Sequence, residues 1–436
     1  MPFATTVFFD VSGGPLGLEP AIGQSGPGMA LLLVLLVPLL YALPSVLMSA
    51  ELASAMPHNG GYYVWVKAAF GEAAGFICSF WTLIYCVLDS AVYPVAAATV
   101  AYPFLQAQFH LDPATAAQTK YAISAGIVVV FTALNLFGIK AVGSSSVLFG
   151  IVILAPFLTL VVLALPKIVS NPSQAVTPFM LTGQSWTESA QSALAVVVWN
   201  YLGWDSLSTV AGEVHEPQKT IPKALTLTLP VIVALYVLSL VAGYVALPDP
   251  SLWQEGVWPA AAAKVGGPAM GLWMGASLIV SSLGLFTATL LGASRLPFVF
   301  AHDGLLPKSL ARLHPKLGTP VIPILVVAAA ILMLVGKKFS DLIEMDVLVY
   351  STALMMEFGA LVWLRIKKPE MPRPFKIPGG LPIVLVVALL PLLVLIAIAF
   401  DQAKESGWNG LWVALAFFGS GPAAYGLACL FRHMSP

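Results

Sequence analysis

Hydrophobic residues in this chain come in long runs, separated by short polar, charged or Pro/Gly-rich segments. A helix crossing a bilayer needs roughly 20 mostly apolar residues. On that scale the runs give twelve candidate spans, at about 1–22, 28–56, 71–105, 121–142, 144–166, 188–213, 222–247, 267–300, 320–336, 343–366, 380–400 and 408–432. The third is longer than a bilayer needs, which predicts that it tilts or projects. The pattern predicts an all-α, polytopic membrane protein with 12 transmembrane helices.

Two spans carry residues that break a helix. Span six contains Trp199-Asn200-Tyr201-Leu202-Gly203-Trp204-Asp205-Ser206, with a carboxylate, an amide, a glycine and two tryptophans at mid-depth. Span one contains Val11-Ser12-Gly13-Gly14-Pro15-Leu16-Gly17. Proline removes a helix donor and clashes with the preceding turn, while glycine leaves helical geometry cheaply. Gly13 and Gly17 also form a GxxxG spacing, which packs helices closely; the proline inside it favours a break. Irregular backbone at membrane depth is tolerated only where it is buried in protein or lines a watery cavity. Each broken span opens a group of five, at 1–166 and 188–366, with two further spans at 380–432. That is the hydropathy signature of a 5+5 inverted-repeat secondary transporter, in which broken helices 1 and 6 bind charge through freed backbone dipoles.

Composition agrees with the pattern. Of 436 residues, 59% are hydrophobic and 9% charged, and the mean hydropathy is +0.91. Soluble domains carry about 25% charged residues, so a soluble enzyme is excluded. The net charge of zero gives no basic patch for nucleic acid. With the N-terminus in the cytoplasm, alternating loops place 14 of the 20 Lys and Arg residues inside and 6 outside. The positive-inside rule therefore puts both termini in the cytoplasm. No basic residue precedes the apolar start, so Met1 to Val11 does not read as a signal peptide. Very little precedes span one, and the natural start could lie upstream. Cys78 and Cys86 sit eight apart on one predicted helix, roughly 12 Å, too far for a disulfide. They read as packing residues and do not indicate a disulfide-linked accessory subunit.

Carboxylates inside spans are costly and therefore functional candidates: Asp10, Glu51, Asp89, Asp205, Glu213 and Glu357. Asp89 shares a helical stripe with Trp81, Tyr85 and Tyr93, which puts an acid beside three rings. The alternative is that the rings pack on a neighbouring helix and Asp89 bonds a buried hydroxyl. Asp205 suits an N-cap of the inner half-helix, a ligand or proton carrier, or more than one of these. Glu51, Glu213 and Arg295 fall near the cytoplasmic ends of their spans, as an inward gate or as solvated end charges. Glu357 is spaced to pair with Arg365 two turns on. The six histidines map to loops or ends, and there is no HExxH pair, no GxxxxGK[ST] loop and no GxSxG elbow. These absences predict neither a metal, nor a cofactor, nor an enzyme.

Several motifs resemble the amino acid–polyamine–organocation (APC) transporters. They are Met56-Pro57-His58-Asn59-Gly60-Gly61-Tyr62, Ala211-Gly212-Glu213 with Ile221-Pro222-Lys223-Ala224, Ser294-Arg295 leading to His302-Asp303-Gly304-Leu305-Leu306-Pro307, and Gly318-Thr319-Pro320. They run in order along essentially the whole chain. Within that superfamily, Phe9-Asp10-Val11-Ser12-Gly13-Gly14-Pro15, Asp89-Ser90-Ala91-Val92-Tyr93-Pro94, Trp199-Asn200 with Trp204-Asp205-Ser206, Met356-Glu357-Phe358 and Arg373-Pro374-Phe375-Lys376-Ile377-Pro378 look like the plant and protist polyamine uptake branch. The resemblance implies a leucine-transporter-like fold in the plasma membrane and proton-coupled uptake of polyamines such as putrescine and spermidine. Close relatives that carry neutral or cationic amino acids keep an amino acid permease or exchanger open. Some proton-coupled members place a lysine in span five; 144–165 has none, which leaves the coupling ion open.

A polyamine needs carboxylates for its ammonium groups and aromatic faces for its carbon chain, at about 0.5–2 kcal/mol per cation–π contact. An amino acid instead needs freed amides for its carboxylate, at Ser12, Gly13 and Gly14. The expected substrate-lining set is Ser12, Gly13, Gly14, Asp89, Tyr93, Trp199, Asn200, Trp204, Asp205 and Tyr350, with Glu51, Glu213 and Arg295 as gate or proton candidates. The outer half of span six, ending near Trp199, would present carbonyls to a cation.

Overall fold

The computed structural model describes residues 7–8, 11–136, 146–302, 304–315 and 318–434. Among these, every regular element is helical. Asp10 and Lys140 lie outside the described residues. Among the described residues, eight helices are long and apolar enough to cross a membrane: Pro27–Ala55, Glu72–Phe109, Pro113–Leu136, Val152–Ser170, Pro217–Ala246, Trp258–His302, Phe339–Lys367 and Gly380–Lys404. Val321–Leu334 and Leu415–Leu430 are shorter apolar helices.

Both expected breaks are present. Span one is helical at 7–8 and 11, irregular from 12 to 18, and resumes as α1 (Glu19–Ser25). Gly14 and Gly17 sit at φ 94° and 89°, left-handed geometry that a side chain would strain. Span two, α2 (Pro27–Ala55), contains a π-helical turn at Pro38–Ala42. That turn widens the helix where Pro38 and Pro44 cannot donate. It carries Tyr41, whose hydroxyl lies 2.7 Å from Ser351 Oγ. A short helix absent from the sequence reading follows, α3 (Gly61–Phe70).

Helix α4 (Glu72–Phe109) is the centre of the bundle. It packs against α3, α5 (Ala116–Leu136), α9 (Trp258–His302), α11 (Phe339–Lys367) and α12 (Gly380–Met434). Between them in sequence come α6 (Ser146–Ser170), α7 (Trp186–Trp199), α8 (Pro217–Ala246) and α10 (Val321–Leu334). The first half of span six ends at α7, and its second half is a tight 3-10 helix, Ser206–Glu213. Helix α1 of span one and α7 of span six pack against each other.

The recurrent motif after span two now has a structural meaning. Gly60 N donates to the Thr209 carbonyl at 2.9 Å, and Asn59 Oδ1 accepts from Gly212 N at 2.9 Å. A Cβ on Gly61 would sit 2.0 Å from Ser208 Oγ. The loop therefore grips the second half of span six, and only glycine permits that approach.

Helix α12 runs through two of the expected spans. A straight helix of 55 residues would extend roughly 80 Å at 1.5 Å per residue. Its contacts require it to fold back instead. Ile377, just before it, donates to Glu51 at one end of the bundle, Gln402 reaches Glu344 near the start of α11, and Arg432 reaches Glu72 back at the start of α4.

Candidate functional site

The two breaks meet in a small cavity. It is lined by Val11, Gly13, Gly14 and Leu16 from span one, Tyr85, Asp89 and Tyr93 from α4, Trp199, Asn200 and Leu202 from span six, with Tyr236 and Leu285. Among the described residues its polar and aromatic wall is one carboxylate, one amide, three tyrosines and a tryptophan, with no basic side chain. At about 40 Å³ it has room for a few waters.

Backbone freed by the breaks must find partners at membrane depth. In span one, the Gly13 carbonyl accepts from Ser281 Oγ at 3.0 Å and the Pro15 carbonyl from Trp258 Nε1 at 3.1 Å, both on α9. Gly14 N donates to Ser12 Oγ (3.3 Å), and Gly17 N to Glu19 Oε2 (2.5 Å). In span six, Gly203 N donates to the Tyr350 hydroxyl at 3.1 Å. The Tyr236 hydroxyl joins the two breaks, since it donates to the Asn200 carbonyl (3.0 Å) and lies 2.8 Å from Ser12 Oγ.

Asp89 is 8% exposed, and its Oδ1 accepts from the Tyr93 hydroxyl at 3.1 Å. The Tyr93 ring lies 6.5 Å from that of Trp199. Trp199 fits because position 17 has no side chain: a Cβ there would come within 2.6 Å of its indole. On its far side, Trp199 Nε1 donates to Asp346 Oδ2 at 3.1 Å. Below the cavity, Tyr85 packs on Tyr350 at 4.7 Å between centroids, and the Tyr350 hydroxyl donates to Asp205. Asp205 lies within hydrogen-bonding reach of Glu357.

Comparison with known proteins fits this architecture. The amino acid permease family model matches residues 4–420. The chain belongs to that family, within the APC superfamily. A probable polyamine transporter of Arabidopsis thaliana is 34% identical over 424 residues, covering 96% of this chain and 85% of its own. A polyamine transporter of Oryza sativa subsp. japonica is 32% identical over 382 residues, covering 87% and 69%. The Asc-type amino acid transporter 1 of Mus musculus is 28% identical over 359 residues, covering 79% and 65%. This permease is therefore a membrane transporter and not an enzyme.

Of the residues expected from sequence, the permease brings Gly13, Gly14, Asp89, Tyr93, Trp199 and Asn200 into the cavity wall. Ser12 stands just behind it, bonded to Tyr236. Trp204 does not reach it: the ring is buried, with Nε1 donating to the Tyr201 carbonyl at 2.9 Å. Asp205 and Tyr350 form a second layer. Asp205 occupies the N-cap position of Ser206–Glu213 but makes no side-chain cap bond, because its carboxylate is turned to Tyr350 and Glu357. Trp81 faces away from the stripe and packs on Phe417 and Phe418. The carbonyls ending α7 are engaged too: Val196 O accepts from Asn200 Nδ2, and Trp199 O from Leu202 N.

The charges at the other end of the bundle pair differently from the sequence expectation. Glu51 is fully buried, and its carboxylate takes both Arg365 and Arg373, together with Ile377 N at 2.8 Å. Arg365 is thereby drawn away from Glu357. Arg373 also donates to the Leu364 and Lys368 carbonyls, closing the end of α11. Glu213 and Arg295 are both exposed. Removing Glu51 would leave two buried guanidiniums without their anion, a loss of about 3–5 kcal/mol. Glu51→Ala is expected to lower the thermal unfolding temperature in detergent much further than Arg365→Ala, which leaves Glu51 one arginine. Equal melting of the two variants would contradict that account.

Sequence reading missed Asp346 and Tyr236. Asp346 sat at the edge of span ten, where charge is ordinary. Its spacing to Tyr350 and Glu357, four and eleven residues on, would have placed all three on one helix face.

Proposed function

We propose that this permease takes up protonated polyamines of the putrescine and spermidine type, driven by protons, by alternating access around the cavity between the two breaks. The observation that carries the reading is Asp89, held by Tyr93 in an aromatic cavity with no basic side chain in its wall among the described residues. An ammonium group pairs with the carboxylate, and the carbon chain lies on the rings of Tyr85, Tyr93 and Trp199. The names of the plant relatives support the same substrate class. The proton seat in this reading is the Asp205–Glu357 pair behind Tyr350, since two carboxyls can hydrogen-bond only if they hold a proton between them. The scaffold is a 5+5 inverted repeat of 1–166 and 188–366, with two added helices at 380–432. We place it in the plasma membrane with both termini in the cytoplasm, as the basic residues suggest.

The second reading is a permease or exchanger of neutral or cationic amino acids, favoured by the similarity to the Asc-type transporter. The break in span one speaks against it. An amino acid needs free amides for its carboxylate, yet two of the three are engaged: Ser12 N donates to the Phe8 carbonyl at 2.8 Å and Gly14 N to Ser12 Oγ. Counterflow in proteoliposomes separates the two readings, with putrescine, spermidine, arginine and leucine compared, each with and without a pH gradient. Exchange of putrescine and spermidine, accelerated by inward-directed protons, is the expected result. Leucine exchange without polyamine exchange would exclude the first reading.

A further inference from the structure

Asp346 is an acid that the cavity alone does not explain. It is fully buried in α11, 0% exposed, in a helix that reads as membrane-spanning. One oxygen, Oδ2, accepts from Trp199 Nε1. The other, Oδ1, is buried and has no hydrogen-bond partner among the described residues. A buried polar atom without a partner is destabilising and rare in folded proteins, so it points to something that binds there. Trp199 donates to the Asp346 carboxyl, and Asp89 and Tyr85 lie within electrostatic reach of it. None of these supplies a positive charge.

Trp199 links the two acids. Its indole lines the cavity that holds Asp89, and its Nε1 donates to Asp346. Two acids thus adjoin one aromatic site, each with a donor already on one oxygen. A solute carrying a single ammonium satisfies only one of them. A linear molecule with an ammonium at each end satisfies both and lays its methylenes on the indole.

We infer that Asp346 is the seat for the second ammonium of the substrate, so that the pair Asp89 and Asp346 selects linear diammonium compounds over monoamines. The inference rests on the polyamine reading above and adds to it a residue and a selection rule. When the cavity widens to admit substrate, the far ammonium takes Asp346 Oδ1, the atom that lacks a partner, while the near one takes Asp89.

The test compares binding of 1-aminobutane and 1,4-diaminobutane to purified protein, for the wild type, Asp346→Asn, Asp346→Glu and Asp89→Asn. Asparagine keeps an oxygen for Trp199 Nε1 and removes only the charge, so a purely positioning role would leave binding unaltered. Asp346→Asn is expected to weaken the diamine by about 30- to 100-fold and to leave the monoamine within twofold. Asp89→Asn weakens both amines, and Asp346→Glu restores part of the preference for the diamine. Thermal unfolding of Asp346→Asn at the wild-type temperature confirms that the fold is intact. Equal weakening of both amines by Asp346→Asn, or no change in either, overturns the second seat while leaving polyamine transport standing. Wild-type protein that binds neither amine overturns the polyamine reading, and the second seat falls with it.

Discussion

Asp89→Asn is expected to lower spermidine uptake by about 100-fold at limiting substrate, with surface expression unchanged. The magnitude follows from what the carboxylate does. It is the sole acid in the cavity wall among the described residues, and truncating one partner of a buried charged pair costs about 2–5 kcal/mol. Taking about 3 kcal/mol, at 1.4 kcal/mol per tenfold, gives roughly two orders of magnitude. The change is nearly isosteric, and asparagine Oδ1 can still accept from Tyr93, so the aromatic wall keeps its shape. The loss should appear in the substrate concentration needed for half-maximal uptake, because binding in the cavity is what the charge supports. Asp89→Glu, which keeps the charge one methylene further out, should recover part of it. Uptake within threefold of wild type would remove Asp89 from the substrate path.

Much of this arrangement is legible in the chain because membrane depth makes certain residues expensive. Gly13, Gly14, Pro15 and Gly203 have no ordinary place in a spanning helix, and they mark the two breaks that the structure contains. Asp89 with Tyr85 and Tyr93 at a spacing of four predicts a shared face, and that face lines the cavity. Trp204 lies outside the cavity wall because the helix stops at Trp199: the following rings no longer follow helical spacing, and Trp204 folds back onto the Tyr201 carbonyl. The partners of Glu51 were beyond reach for another reason. Arg365 lies 314 residues away, and no periodicity within one span encodes a contact made by tertiary packing. The same holds for Asp205 and Glu357, each legible as a buried acid but not as neighbours.

Glu357→Gln is expected to separate exchange from accumulation. Asp205 begins the 3-10 half of span six, which the Asn59-Gly60-Gly61 loop grips from one side. Glu357 belongs to α11. In the proposed reading a proton shared between them would hold the second half of span six to α11; without it, two buried negative charges would face each other and push apart. Proton occupancy then biases which arrangement of the broken helix is favoured, and a ligand shifts such an equilibrium only through differential binding. Glutamine donates to Asp205 permanently, so the variant behaves as the protonated pair at every pH. Counterflow of labelled spermidine should therefore stay within a few-fold of wild type. Accumulation against a gradient should not. With the membrane potential clamped at zero and one proton per substrate, a pH step of one unit is worth about 1.4 kcal/mol and sustains about a tenfold concentration ratio. The wild type should approach that ratio and Glu357→Gln should stay near unity. Accumulation by Glu357→Gln that follows the pH step as the wild type does would place the coupling proton elsewhere and leave the Asp205–Glu357 contact a structural one.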